Sequence, residues 1–256
     1  VLLAALALAA FVAGFIDAIA GGGGLITVPA LFVAVPDARV ALGTNKGQSV
    51  FGAFSALVTF WRRGHVDRRR ALPTFFAASA GALVGAKLVL SLDPEALRPI
   101  ALGLLVTVAV SFALRGRSRK TMTARPSGWP LAVLHPLASS GVIGFVLGGY
   151  DGFFGPGTGT FLIAAYAAVL GDDLTKATAN AKVANFASNL TSVAAFALAG
   201  RLRYDLALPM AAAQLVGGWL GARSAIRGGE RFVRAGVLLI TSALVVRLAY
   251  QLIGGG

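Results

Sequence analysis

Two glycine-rich interruptions of otherwise apolar sequence constrain this chain more than any other feature. The first, Gly14-Phe-Ile-Asp17-Ala-Ile-Ala-Gly21-Gly-Gly-Gly24, sets a carboxylate and four consecutive glycines inside an apolar segment. The second is Gly148-Gly-Tyr-Asp151-Gly-Phe-Phe-Gly155-Pro-Gly157-Thr-Gly159, and at an offset of 134 residues Gly14, Asp17, Gly21 and Gly23 fall on Gly148, Asp151, Gly155 and Gly157. Each glycine destabilises a continuous helix by roughly 1 kcal/mol relative to alanine, so both copies read as broken helices. At membrane depth, broken backbone is tolerated only where it is buried in protein or lines a cavity. The breaks therefore mark a site and not a lipid-facing wall.

Membrane depth is the expectation because the 256 residues are 57% hydrophobic and 13% charged, where a soluble domain carries about 25% charged residues. Apolar runs of the roughly 20 residues that span a bilayer recur along the whole chain, which predicts an all-α integral membrane protein with no soluble domain. The formal charge of +13 does not point to nucleic acid, since Arg and Lys concentrate in two short loops. The absence of cysteine excludes disulfides and thiolate chemistry. Residues 1 to 20 imitate the apolar region of a signal peptide, with Ala18-Ile-Ala20 as a mock cleavage site. Their internal second copy near residue 145 reads instead as a structural helix in both places.

A helix is expected to about Ala20, then the break, a short apolar segment 25–35, and a turn at Pro36-Asp37. Eleven residues are few for a crossing, so this segment is either a re-entrant half-helix or a tilted return leg. Gly43-Thr-Asn45-Lys46-Gly-Gln48 opens a run to Trp61, followed by Arg62, Arg63, His65, Arg68, Arg69 and Arg70, a loop that the positive-inside rule makes cytoplasmic. Spans 71–90 and 96–114 flank the acidic turn Asp93-Pro-Glu95 and lead to a second basic loop, 115–125, also expected to be cytoplasmic. The linker 115–129 divides the chain into halves 1–114 and 130–256 of one membrane domain. The second half repeats the first: a helix 130–149, the break, a short segment 161–170, the turn Gly171-Asp172-Asp173, and spans 180–199, 206–222 and 232–250.

At an offset of 136, Lys46, Phe60, Gly64, Pro73, Gly81, Gly85 and Arg98 fall on Lys182, Phe196, Gly200, Pro209, Gly217, Gly221 and Arg234. The chain is internally duplicated. The loop around Arg68 is basic and that around Asp93 acidic, whereas in the second half Arg223, Arg227 and Arg231 outweigh the loop 201–205. This exchange of sides is what two inverted repeats predict: each has a glycine-broken helix with its short segment plus three further spans, eight spans in all, or ten if the short segments cross. Both termini would then face outward.

Lys46 and Lys182 occupy equivalent positions, where an ammonium costs several kcal/mol by most estimates. Asn45, Gln48, Asn180, Asn185 and Asn189 flank them. They are expected to line one anion site or its two entrances, against the plainer reading of lysines snorkelling near helix ends. Backbone N–H groups at the half-helix starts, around Gly23, Gly24 and Leu25 and around Thr158, Gly159 and Thr160, would add partial positive charge; close helix packing is the competing explanation. Asp17 and Asp151 are candidates for carrying a coupling proton, for pairing with the lysines, or for capping the broken backbone. Asp172 and Asp173 are left as turn residues. His65 and His135 lie apart without a carboxylate cluster, so no metal is expected, and no cofactor, nucleotide loop or catalytic triad is supported.

The chain resembles the TauE/SafE (TSUP) family of sulfite and organosulfur anion exporters. The resemblance rests on the first glycine motif through Leu25, on Gly43-Thr-Asn-Lys46, on Tyr150-Asp-Gly-Phe-Phe-Gly-Pro-Gly-Thr-Gly159, on Ala181-Lys-Val-Ala-Asn-Phe-Ala-Ser-Asn189 and on Gly217-Gly-Trp-Leu-Gly-Ala-Arg223. It implies a permease of the bacterial inner membrane, not an enzyme, that moves sulfite, sulfoacetate or a related anion, usually outward. A passive anion channel, a permease for a non-sulfur carboxylate and a non-transporting scaffold are the alternatives. The small-residue face Gly217 to Gly221 fits packing within one subunit or between two, so a homodimer stays open.

Overall fold

The computed structural model describes residues 1–115 and 135–254. The expected second basic loop and the linker, beyond Arg115, lie outside them. The described residues form helices and their connections: α1 (Leu2–Ala20), α2 (Gly24–Ala34), α3 (Ala38–Arg62), α4 (Arg68–Ser91), α5 (Pro94–Arg115), α6 (Pro136–Phe153), α7 (Thr158–Leu170), α8 (Leu174–Leu198) and α9 (Tyr204–Gly254). The last is interrupted at Gly229, whose φ of 61° leaves the helical region, between the two spans expected there. Helices α1 and α4 are long and apolar enough by themselves to cross a membrane. In α3 and α8 the apolar run is diluted by the lysine, asparagine and glutamine side chains they bury.

Local chemistry explains the boundaries. Asp37, Asp67 and Asp173 cap α3, α4 and α8, each accepting from backbone N–H groups of the first turn. These caps start α3 and α8 earlier than Gly43 and residue 180, so Lys46 and Lys182 lie about two turns inside their helices and not at the ends. Asp173, expected as a plain turn residue, is thus a helix cap. Gly21, with φ of 67°, ends α1, and Gly157, with φ of 85°, precedes α7; both conformations disfavour a side chain. A β-carbon on Gly23 would lie 2.6 Å from the Ala13 carbonyl oxygen, so the chain doubles back and α2 starts alongside α1. Tyr150 and Phe161, with ring centroids 5.8 Å apart, mark the same reversal between α6 and α7. At 1.5 Å per residue α2 and α7 are about 16 and 20 Å long.

The duplication reappears in the packing. Helix α4 lies against α6 and α8, and its counterpart, the first part of α9, lies against α1 and α3. Each half therefore buries its fourth helix against the other half. Glycines allow it: a β-carbon on Gly81 or Gly85 would overlap the carbonyls of Phe145 or Gly149, and one on Gly217 or Gly221 those of Phe11 or Phe15. Between these seams lie two apolar clusters, one with Phe60, Tyr166 and Leu174, the other with Leu31, Leu42 and Phe196. Polarity is inverted relative to a soluble protein. Asn45, Lys46, Gln48, Asp151, Lys182, Asn185 and Asn189 are buried, while Val33, Leu72, Phe76, Val84 and Leu208 are more than half exposed.

Replacing Gly217 by leucine should therefore force α9 off α1 and destabilise the protein by more than the roughly 1–3 kcal/mol of ordinary overpacking. Leucine at Gly103, where nothing lies within 4 Å, should leave the melting temperature nearly unchanged. Equal melting temperatures for the two variants would refute the seam.

Candidate functional site

The two glycine breaks meet at the centre of the molecule. Gly21 and Gly159 touch backbone to backbone, and a β-carbon on Gly24 would lie 3.1 Å from Pro156. The Thr160 hydroxyl donates to the Ala20 carbonyl at 2.8 Å and also to that of Gly21, tying the start of α7 to the end of α1. Proline at 156 and the left-handed glycines keep the backbone open where a continuous helix would fill the space.

Two ion pairs, one fully buried and one with a partly buried carboxylate, cross between the halves at this level. Lys46 on α3 donates to Asp151 Oδ1 on α6 at 2.8 Å. Lys182 on α8 donates to Asp17 on α1, to Oδ2 at 2.7 Å and to the main-chain oxygen at 2.6 Å. Each lysine of one half is thus neutralised by the broken helix of the other. The second carboxylate oxygens are also satisfied: Asp17 Oδ1 accepts from the N–H groups of Gly22 and Gly23 at 3.2 and 3.4 Å. Asp151 Oδ2 accepts from the Ser188 hydroxyl and, at 3.4 Å, from Asn189 Nδ2. Of the roles open to the aspartates, the geometry displays both pairing and, for Asp17, capping. Pairing and hydrogen bonding together are what make such charges tolerable away from water.

A cavity of about 30 Å³ lies between the pairs, enough to hold water. The sequence candidates Asp17, Gly24, Asn45, Lys46, Asp151, Gly159, Asn185 and Asn189 line it. The others stand behind the wall. Lys182 is fully buried against Asp17, and Gln48 donates to Asn45 Oδ1 at 2.9 Å. Gly23 accepts the Thr27 hydroxyl, and the Thr158 hydroxyl turns back to the Gly155 carbonyl at 2.6 Å. The N–H groups of Leu25 and Thr158 are taken by the carbonyls of Gly22 and Gly155, so neither is available to a ligand. Asn180 lies away from the cavity, accepting from the Asp67 N–H at 2.9 Å and donating to Asp172 at 2.9 Å.

Gly22, Gly155 and Gly157 of the two glycine breaks also line the cavity, while sequence reasoning missed Ser49 and Gln214. Ser49 was reachable, being the duplicate of Asn185 at the offset of 136. Gln214 was not, since its duplicate is Ala78. It is buried, and Gly14 and Gly52 leave the room for its side chain. The oxygens Oδ1 of Asn185 and Oε1 of Gln214 are buried without a donor, so this wall retains unused hydrogen-bonding capacity.

Arg70 departs most from expectation. Read from sequence as part of a basic cytoplasmic loop, it is 6% exposed; its Nη2 donates to both carboxylate oxygens of Asp172 at 2.9 Å and its Nε to Asp67 at 2.9 Å. Lys176 completes the network at 3.4 Å from Asp172 and 3.8 Å from Asp67. At the duplicate place, Arg201 reaches Asp37 at 3.3 Å, and the Arg203 N–H reaches the Thr44 hydroxyl at 3.1 Å. Each half-helix turn is thus held to a loop of the other half, more strongly at Asp172.

Two outcomes are expected. Asp151→Asn should leave the Lys46 ammonium buried without its counter-charge and destabilise by about 3–5 kcal/mol. Lys46→Met combined with Asp151→Asn should recover most of that loss in a denaturation series, and a double variant no more stable than the single one would contradict the pairing. Burial pushes the Asp67 carboxyl up, but the Arg70 charge and the Arg69 and Arg70 hydrogen bonds outweigh it and hold it below its ordinary value of 3.8. Its stabilising contribution is complete above that value and is lost as the pH falls through the lowered one. The melting temperature of Asp67→Asn should accordingly fall less steeply than that of the native protein between pH 5 and pH 2, and parallel curves would count against it.

Comparisons with known proteins identify the family. The family model described as sulfite exporter TauE/SafE matches residues 6–248. A probable membrane transporter protein of a Sinorhizobium species is 38% identical over 96% of this chain and 92% of its own length. One from Haemophilus influenzae is 37% identical over 98% and 95%, and one from Escherichia coli K12 is 34% identical over 98% and 90%. No solved structure matches. These relatives support a membrane location and a transporter's role, not an enzyme's. With its paired glycine breaks and crossed lysine–aspartate pairs, the chain belongs to the TauE/SafE family of membrane transporters.

Proposed function

We propose that this protein is a secondary transporter that exports a small sulfur-containing anion, sulfite or a sulfonate such as sulfoacetate, across the bacterial inner membrane. The observation that carries the reading is the pair of crossed lysine–aspartate bridges around a small polar cavity. As they stand, the two bridges are electrically balanced, and adding an anion alone would leave a net buried charge. A proton taken by Asp151 or Asp17 removes that obstacle. The freed lysine then pairs with the anion, so that anion and proton occupy the site together and leave it together. Asn45, Ser49, Asn185, Asn189 and Gln214 supply neutral hydrogen bonds to the sulfur oxyanion.

The cavity of about 30 Å³ is smaller than such an anion needs, so loading requires the halves to move apart. In this reading the halves are inverted repeats that rock about the touching glycines and expose the site to either side in turn, with the loop 62–70 cytoplasmic. The packing of each fourth helix onto the opposite half and the name of the matching family support it.

The test is a thermal-shift screen of the purified protein with sulfite, thiosulfate, sulfate, sulfoacetate, taurine and lactate at pH 5.5 and 7.5, followed by counterflow of the best ligand in proteoliposomes. A ligand at 100 times its Kd stabilises the folded state by about 2.7 kcal/mol. The expected result is a selective shift with one sulfur oxyanion or sulfonate, larger at the lower pH and absent in Lys46→Ala. Flux without counterflow would identify a channel, and a shift with lactate alone would move the cargo to carboxylates. Unaltered transport in both Lys46→Ala and Lys182→Ala would refute the site.

A further inference from the structure

A second concavity, of about 570 Å³, opens between α3 and α9 and shares no lining residue with the central site. The two helices run the same way here. Gly218 of α9 sits against Gly52 and Ser55 of α3, where a β-carbon would lie 2.5 and 2.6 Å from their oxygens. Beyond that close contact a groove extends toward Arg62 and Arg63 on α3 and Arg223 on α9. Its walls are apolar, with Phe54, Leu215, Val216 and Trp219 each between 38% and 47% exposed. Its far end is cationic: Arg62, Arg63 and Arg223 are exposed, and among the described residues none has a carboxylate partner. The Arg223 guanidinium lies 4.0 Å from the centre of the Trp219 ring, which fixes its position at the mouth.

We propose that this groove is a binding site for an anionic phospholipid, with an acyl chain along Phe54, Val58, Leu215 and Val216 and the phosphate between Arg62, Arg63 and Arg223. The two ends of the groove match the two ends of such a lipid, and a basic pocket between membrane helices is suited to an anionic headgroup. Helix packing does not require these arginines. At the duplicate positions, 136 residues away, Arg62 and Arg63 become Leu198 and Ala199, and only Lys87, in place of Arg223, keeps a charge. A freely soluble anion has no use for the apolar wall. A second copy of the chain docked symmetrically through the groove would bring two sets of three arginines together without counter-charges.

The protein, purified in a neutral detergent and stripped of lipid, is titrated with dioleoyl phosphatidylglycerol or dioleoyl phosphatidylcholine and followed by native mass spectrometry. Phosphatidylglycerol should bind at least about tenfold more tightly, with inorganic phosphate unable to displace it. Combined Arg62→Gln, Arg63→Gln and Arg223→Gln should abolish the preference. Val216→Trp, which fills the apolar half and leaves the arginines in place, should weaken both lipids. Equal binding of the two lipids, an unchanged preference in the triple arginine variant, or undiminished binding in Val216→Trp would overturn the proposal. So would a dimer that Val216→Trp dissociates, because the groove would then be a contact between copies.

Discussion

The structure depends on pairing two buried ammonium groups with two carboxylates, Asp151 buried and Asp17 partly so. Each charge by itself would be costly at that depth, and the fold meets the cost by making every partner come from the opposite half of the chain. This explains why the halves interlock instead of lying side by side. α3 must face α6 and α8 must face α1, and the fourth helix of each half closes over the opposite broken helix. The remaining carboxylate oxygens are met by the glycine backbone on one side and by Ser188 and Asn189 on the other.

The glycines serve the same end. Where Gly21 meets Gly159, and where Gly81, Gly85, Gly217 and Gly221 lie against opposing carbonyls, a single β-carbon would separate helices whose approach brings the charges into contact. Reversal of the chain after α1 and α6 leaves two short helices, α2 and α7, inside the bundle, and their starts frame the cavity. Among the described residues, the hydroxyl of Thr160 is what ties the two breaks together by hydrogen bonds.

The halves are alike in plan and unlike in detail. Arg70 binds both oxygens of Asp172 through one buried guanidinium nitrogen, while Arg201 and Asp37 share a partly exposed contact. Gln214 stands where the other half has Ala78, and Thr160 ties the breaks together from one side only. Of the two ion-paired links, the Arg70–Asp172 one is the more deeply buried.

Much of this was legible without a structure. Hydropathy and charge spacing implied a helical membrane protein, and the paired glycines implied two broken helices. The duplicated Lys46 and Lys182, Asp17 and Asp151 stood out because a charge at apolar depth has to be accounted for. Their partnership was left open, since local spacing carries no information about which lysine meets which carboxylate across 105 or 165 residues of sequence. Ser49 could have been found through the duplication; Gln214 could not, having no counterpart. Arg70 looked like one cation among several in a basic loop, and only the approach of the α7–α8 turn buries it against Asp172. The sequence by itself thus determined which residues are costly to bury and where the chain must break, because those are local properties of side chains and backbone. Which charges pair, which amides line the cavity and which arginine is buried were decided by tertiary packing, since each depends on contacts between segments far apart in the chain.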